Sequence, residues 1–172
     1  MDLKKEIREV PDYPKEGISF KDITTLFKNK EAMKYVTDVI SDNFKEKGIT
    51  KVVGLEARGF ILGGAVANRL DAGFVPIRKK GKLPCDIVTE TYDLEYGTDR
   101  IEMHVDALEK DDVVLIHDDL LATGGTAVAA LKLAQKCGVK KVYFSFICDL
   151  EFISTPNKEL LKNFETQILV KY

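Results

Sequence analysis

Two adjacent acids, Asp118 and Asp119, follow the apolar run Val113-Val114-Leu115-Ile116 and precede a small, hydroxylated turn, Ala122-Thr123-Gly124-Gly125-Thr126. Such a turn, read as opening a helix, suits an anion. Glycines let backbone N–H groups approach, Thr123 and Thr126 can donate hydroxyls, and the helix dipole adds partial positive charge. The two carboxylates cannot face the same anion, because unit charges at about 4 Å near a protein surface interact by about 4 kcal/mol. They can accept hydrogen bonds from vicinal hydroxyls, at roughly 1.5–3 kcal/mol each. A ligand that satisfies both halves carries a phosphate beside a polyol, as a sugar phosphate does. The plainer alternative is that the acids end a strand and the glycines form an ordinary turn. The turn lacks the lysine of a Walker motif.

The elements that must position these groups alternate along the chain. Glu31 to about Lys47 carries Met33, Val36, Ile40 and Phe44 at helical spacing, and Gly48 ends the run. Lys51–Leu55 reads as a strand, Gly59–Leu70 as a buried helix despite its glycines, and Gly73–Ile77 as a strand. Asp112–His117 reads as a strand, Thr123–Cys137 as a helix and Lys141–Cys148 as a strand. Near-continuous apolar strands alternating with helices predict an α/β fold: a mostly parallel, twisted sheet flanked by helices. Ligands of such sheets bind at the carboxyl ends of strands, which selects the loops after Leu55, Ile77 and His117. One segment departs from this. Asp86–Val105 alternates like a hairpin turning near Gly97-Thr98-Asp99, and it is expected either as a lid over the site or as a plain extension of the sheet.

Bulk properties narrow the function. The 172 residues suit one domain, and a net charge of −2 gives no field for non-specific nucleic-acid binding. The first residues lack the apolar core of a signal peptide, and no apolar run nears the roughly 18–20 residues of a membrane span. Cys85, Cys137 and Cys148 are odd in number and scattered, which fits reduced thiols in a cytoplasmic protein. His104 and His117 match no zinc spacing, so neither is expected to bind metal, although His117 could lie near a site.

The stretch 118–127, "DDLLATGGTA", resembles the phosphoribosyl-diphosphate (PRPP) signature of type I phosphoribosyltransferases. Further motifs are similar to those of the adenine-specific members in particular: "DYPKEGISFKDIT" (12–24), "VVGLEARGF" (52–60), "FVPIRKKGKLP" (74–84) and "TETYDLEYGTD". The resemblance runs in family order through most of the chain, leaving only about the last 20 residues unremarkable. It implies transfer of the ribose 5-phosphate of PRPP to adenine, giving AMP and pyrophosphate, with Mg²⁺ on the diphosphate and no metal held directly by the protein. It implies one domain over 1–172, with a base-site hood in 1–30 and a basic loop and flap in 78–105, and a homodimer.

Residue by residue, the resemblance places the 5-phosphate on Ala122, Thr123, Gly124, Gly125 and Thr126, and the ribose hydroxyls on Asp118 and Asp119. It places the diphosphate on Arg58 and on the run Arg78-Lys79-Lys80-Gly81-Lys82, with Arg78 and Lys82 favoured over Lys79; without that context a charge run is simply a solvated face. Glu95 takes the carboxylate role beside the nucleobase. Alternation puts Glu95 and Asp93 on the face opposite Tyr92, Leu94 and Tyr96. Phe20 would stack on the base with Leu150 covering its other face, and Ser19 and Lys21 would read its edge through backbone groups. Lys21 stands where arginine is more usual, which keeps the charge and loses the planar fork. Two other functions compete: an oxo-purine phosphoribosyltransferase acting on hypoxanthine, guanine or xanthine, and a PRPP-binding regulator without catalysis. The acidic balance, the lack of length for a DNA-binding domain and the presence of Glu95 count against the regulator. A dinucleotide-binding dehydrogenase is disfavoured, since no G-x-G-x-x-G follows a strand.

Overall fold

The computed structural model describes residues 1–94 and 97–172. A seven-stranded sheet in the order β5-β6-β4-β3-β7-β8-β9 forms its centre. Its strands are β3 (Lys51–Leu55), β4 (Gly73–Lys79), β5 (Ile87–Asp93), β6 (Thr98–His104), β7 (Val113–Leu121), β8 (Lys141–Asp149) and β9 (Thr166–Lys171). β4, β3, β7, β8 and β9 are parallel, whereas β6 runs antiparallel to both β4 and β5. The helices are α1 (Leu3–Glu6), α2 (Thr24–Lys28), α3 (Lys30–Phe44), α4 (Gly59–Arg69), α5 (Gly125–Lys136) and α6 (Pro156–Leu161), and a two-stranded ribbon pairs β1 (Arg8–Val10) with β2 (Phe20–Asp22).

Successive strand residues are buried on opposite sides, because both faces of the sheet are covered. Val53, Val114 and Ile116 belong to the core under α5, while their neighbours Val52 and Leu115 belong to the core under α3 and α4. α3 presents Val36, Ile40 and Phe44 to that second core, as its periodicity predicts. The N-terminal ribbon is fastened to the same core through Leu3, Ile7, Ile23 and Leu26.

Several boundaries differ from expectation, two of them at the acids and the glycine turn. β7 does not stop at His117 but runs through both acids to Leu121, because β8 continues the ladder beside it, pairing Asp118 with Phe146 and Leu121 with Asp149. α5 begins at Gly125 rather than Thr123, since Gly124 adopts a left-handed φ of 81° that no helix interior allows. After β8, α6 leads to the edge strand β9, which completes the sheet. The Asp86–Val105 segment is a hairpin that extends the sheet at the β4 edge, and it also folds over α5, placing the Tyr92 ring against Gly125.

Candidate active site

β3 and β7 are neighbours, and the chain leaves β3 toward β4 on one side and leaves β7 toward β8 on the other. Open parallel sheets bind ligands at such a switch point, beyond the carboxyl ends of the strands. Here the turn after β3 brings Arg58 to β7, where its Nε lies 2.6 Å from Asp119 Oδ2. Asp119 is buried and Arg58 partly exposed, so the pair shows its cationic side to the cleft. Asp118 projects to the other side of the strand and accepts the Asp119 backbone N–H at 2.9 Å. Burial, and then the Asp119 charge, push the Asp118 carboxyl well above the usual carboxylate range. α4 starts directly against this strand. A Cβ at Gly59 would lie 2.8 Å from the His117 carbonyl oxygen and 3.1 Å from Asp118 Oδ1, so only glycine permits the approach.

Ala122, Thr123 and Gly124 form the loop between β7 and α5, and with Gly125 and Thr126 of the first turn of α5 they line a cavity of about 80 Å³ together with Asp118 and Phe146. Gly124 offers no capping side chain, and the Thr123 hydroxyl accepts the Gly125 N–H at 3.4 Å, a long bond that an anion at the helix start could replace. The loop is braced from outside by residues that carry no obvious signal in the sequence. Thr155 Oγ1 donates to the Thr123 carbonyl at 2.6 Å, and Asn157 and Lys158 pack within about 3.4 Å of a Cβ placed on Gly124. The pair Thr155-Pro156 is a recognisable helix start, a capping hydroxyl followed by proline at the first turn, and it could have indicated α6.

The basic run splits. Arg78 and Lys82 both turn to Glu56, the former with Nε 3.4 Å from Oε2 and the latter in a close ion pair with Oε1. The Lys79 backbone N–H also donates to Glu56, but its ammonium group points into the hairpin, bonding Asp99 and Tyr92. Burial raises the Glu56 pKa, yet the hydrogen bonds from Lys82, Lys79 and Arg78 outweigh it and hold the carboxyl below its ordinary value. Glu56 is thus the organising acid of this loop, although residue type and order do not single it out.

Phe20 is brought to the same region, with the Arg58 guanidinium 5.8 Å from its ring centroid and Tyr13 edge-on at 5.3 Å. Ser19 and Lys21 turn their side chains to Glu9 rather than to the cleft. Leu150 follows β8, its N–H bonded to the Leu121 carbonyl, which sets it beside the phosphate loop. Glu95 lies outside the described residues. Among the described residues no group of three or more His, Cys, Asp or Glu side chains could hold a metal ion.

His117 is fully buried beside this strand end rather than exposed in the cleft. Burial drives its pKa down to about 4, so it is neutral at neutral pH. In an unfolded chain the imidazole would titrate near 6.5. Folding stability should therefore be unaffected above that value and fall as pH drops toward 4, losing roughly 3 kcal/mol from this residue. Urea unfolding of wild type and His117→Asn across pH 4–7.5 should show the wild type losing stability more steeply. Parallel profiles would contradict the burial argument.

The phosphoribosyl transferase domain family matches residues 22–162. An adenine phosphoribosyltransferase of Phocaeicola vulgatus is 58% identical over 148 residues, covering 86% of this chain and 85% of its own. This chain belongs to the adenine phosphoribosyltransferase family. Among solved structures, the adenine phosphoribosyltransferase of Rhodothermus marinus is 48% identical with a TM-score of 0.91, covering 99% of this chain and 96% of the other. The Giardia lamblia adenine phosphoribosyltransferase, solved with 9-deazaadenine, is 40% identical with a TM-score of 0.92 over 99% of this chain and 96% of the other. Both solved relatives thus match nearly the whole length of this chain.

Proposed function

We propose that this chain transfers ribose 5-phosphate from PRPP to adenine, releasing AMP and pyrophosphate, at the carboxyl ends of β3, β4 and β7. The observation that carries the reading is the glycine turn opening α5, two acids in the second half of β7 with Arg58 paired to one of them, and Arg78 and Lys82 gathered on Glu56 just past β3. The loop 122–126 takes the 5-phosphate on backbone N–H groups and the Thr123 and Thr126 hydroxyls. Asp118 and Asp119 accept the ribose hydroxyls. Arg58, whose fork suits two oxygens at once, faces the diphosphate with Arg78 and Lys82. Glu56 keeps the latter two beside each other until the polyanion competes for them. Lys79 serves instead as the pin that fixes the hairpin to β4.

Mg²⁺ would be carried on the oxygens of the diphosphate and on water, the hard donors it prefers. Bound there, Mg²⁺ would supply charge neutralisation for the departing diphosphate. The protein's own groups do the remainder. Positive charge grows on ribose C1′ as the C1′–O bond lengthens, and the cations stabilise the negative charge that builds on the leaving group. Phe20 and Leu150 sandwich the base, backbone groups of Ser19 and Lys21 read its edge, and Glu95 orients it and handles its proton.

In this reading 1–172 is one phosphoribosyltransferase domain, with 1–30 as hood and 78–105 as basic loop and flap, acting in the cytoplasm as a homodimer. The three unpaired cysteines agree with a reducing compartment. Calorimetric titration with PRPP and Mg²⁺ tests the site. Saturable binding that weakens steeply with added salt is expected, and absence of PRPP binding would overturn the proposal.

A further inference from the structure

Tyr172 follows the edge strand β9 and lies far in sequence from every group assigned to the base. Its backbone nevertheless clamps both neighbours of Leu150: its N–H donates to the Asp149 carbonyl at 2.9 Å, and its carbonyl accepts from Glu151 N–H at 2.8 Å. Its ring carries Lys21, whose ammonium lies 4.3 Å from the ring centroid. Lys21 is almost wholly buried, with 9% of its side chain exposed, and its other partners are Glu9 at 2.8 Å and the Ser19 hydroxyl at 3.2 Å. A buried ammonium with few oxygen partners draws much of its compensation from an aromatic face. The Tyr172 hydroxyl, by contrast, is buried without a hydrogen-bond partner, so the ring rather than the hydroxyl is what matters.

We infer that Tyr172 is a positioning residue of the base site, joining the segment that carries Phe20 to the turn that carries Leu150 and so setting the gap into which the purine fits. The inference rests on the assignment of Phe20 and Leu150 to the two faces of the base. It also accounts for lysine at position 21: a compact ammonium on a flexible stem can bond Glu9 and Ser19 while lying over the ring, with no call for a planar fork. Loss of the ring frees one wall of the gap and leaves the phosphate loop and the β7 acids untouched.

Steady-state kinetics with adenine and PRPP varied separately test this. Tyr172→Leu should raise the adenine KM roughly tenfold, the scale of one desolvated cation–π contact, while the PRPP KM stays within about twofold of wild type. Tyr172→Phe, which keeps the ring, should restore the wild-type adenine KM. Lys21→Met should reproduce the Tyr172→Leu effect, and the double variant should add little to either, as expected for two members of one contact. Should Tyr172→Leu fail to fold, Lys21→Met and Tyr172→Phe still decide. A general structural role would move both KM values together or leave Tyr172→Phe impaired, and either result overturns the inference. Phe20→Leu separates the two levels. If it raises the adenine KM while Lys21→Met and Tyr172→Leu do not, the base site stands and the inference falls; if it leaves adenine binding unchanged, both fall.

Discussion

Replacing Glu95 with alanine should lower kcat by roughly 10²–10³-fold, the usual worth of a positioned proton-handling group, with little change in the PRPP KM. The hairpin that bears it is braced on three sides. Lys79 bonds Tyr92 and Asp99 within the sheet edge, Tyr92 packs on Gly125 at the start of α5, and Lys136 of α5 holds Glu90 at 2.6 Å and the Thr89 carbonyl at 3.0 Å. These braces hold the described part of the hairpin, so removing the carboxylate proposed for Glu95 should leave the phosphate loop and the β7 acids in place. The effect should therefore fall on the chemical step, and one limb of the kcat–pH profile should disappear with it. Equal losses in kcat and in PRPP affinity would place Glu95 in PRPP binding and contradict this division of labour.

Asp118→Asn should weaken PRPP binding by roughly 10- to 100-fold, as expected for the loss of a charged acceptor facing ribose hydroxyls, and should at the same time stabilise the ligand-free protein at neutral pH. The second half follows from the raised Asp118 pKa. In the folded chain the carboxyl holds its proton to higher pH than in the unfolded chain, where it titrates near 3.9. Wild-type stability is therefore undiminished by this group below that value and declines as pH rises above it toward the folded pKa. Asparagine carries no such penalty. The stability difference between variant and wild type should be small near pH 4 and grow toward neutrality, while ligand binding moves in the opposite direction. Thermal unfolding over that range, paired with PRPP titration, checks both. A variant that is destabilised at neutral pH would show that Asp118 serves the fold rather than the ligand.

Much of this arrangement was legible in the residues themselves. The apolar runs at 51–55, 73–77 and 141–148 fixed three parallel strands, and the period of Val36, Ile40 and Phe44 fixed α3, because in each case local pattern and tertiary burial agree. For the strand through 113–121 the residues alone suggest an end at His117, because two acids look like a terminus. Its length is decided by β8 alongside, which keeps supplying ladder partners as far as Leu121. The ribbon of β1 and β2 has strands of three residues, too few to display alternation, and it forms because α1 and Ile23 anchor its ends in the core. In the site, the glycine loop, the acid pair and Arg58 could be located from residue type and order. Glu56 could not, because its importance appears only when the loop 78–82 folds back and sets Arg78 and Lys82 on its carboxylate. Tyr172 has no local signature at all, since it matters only through what lies across the sheet edge from it.

The account stands most directly on turnover. Purified protein with PRPP and Mg²⁺, offered adenine, hypoxanthine, guanine and xanthine in separate reactions, should form AMP and pyrophosphate in equal amounts from adenine and leave the oxo-purines unused. Turnover of an oxo-purine, or PRPP binding with no turnover of any base, would contradict it.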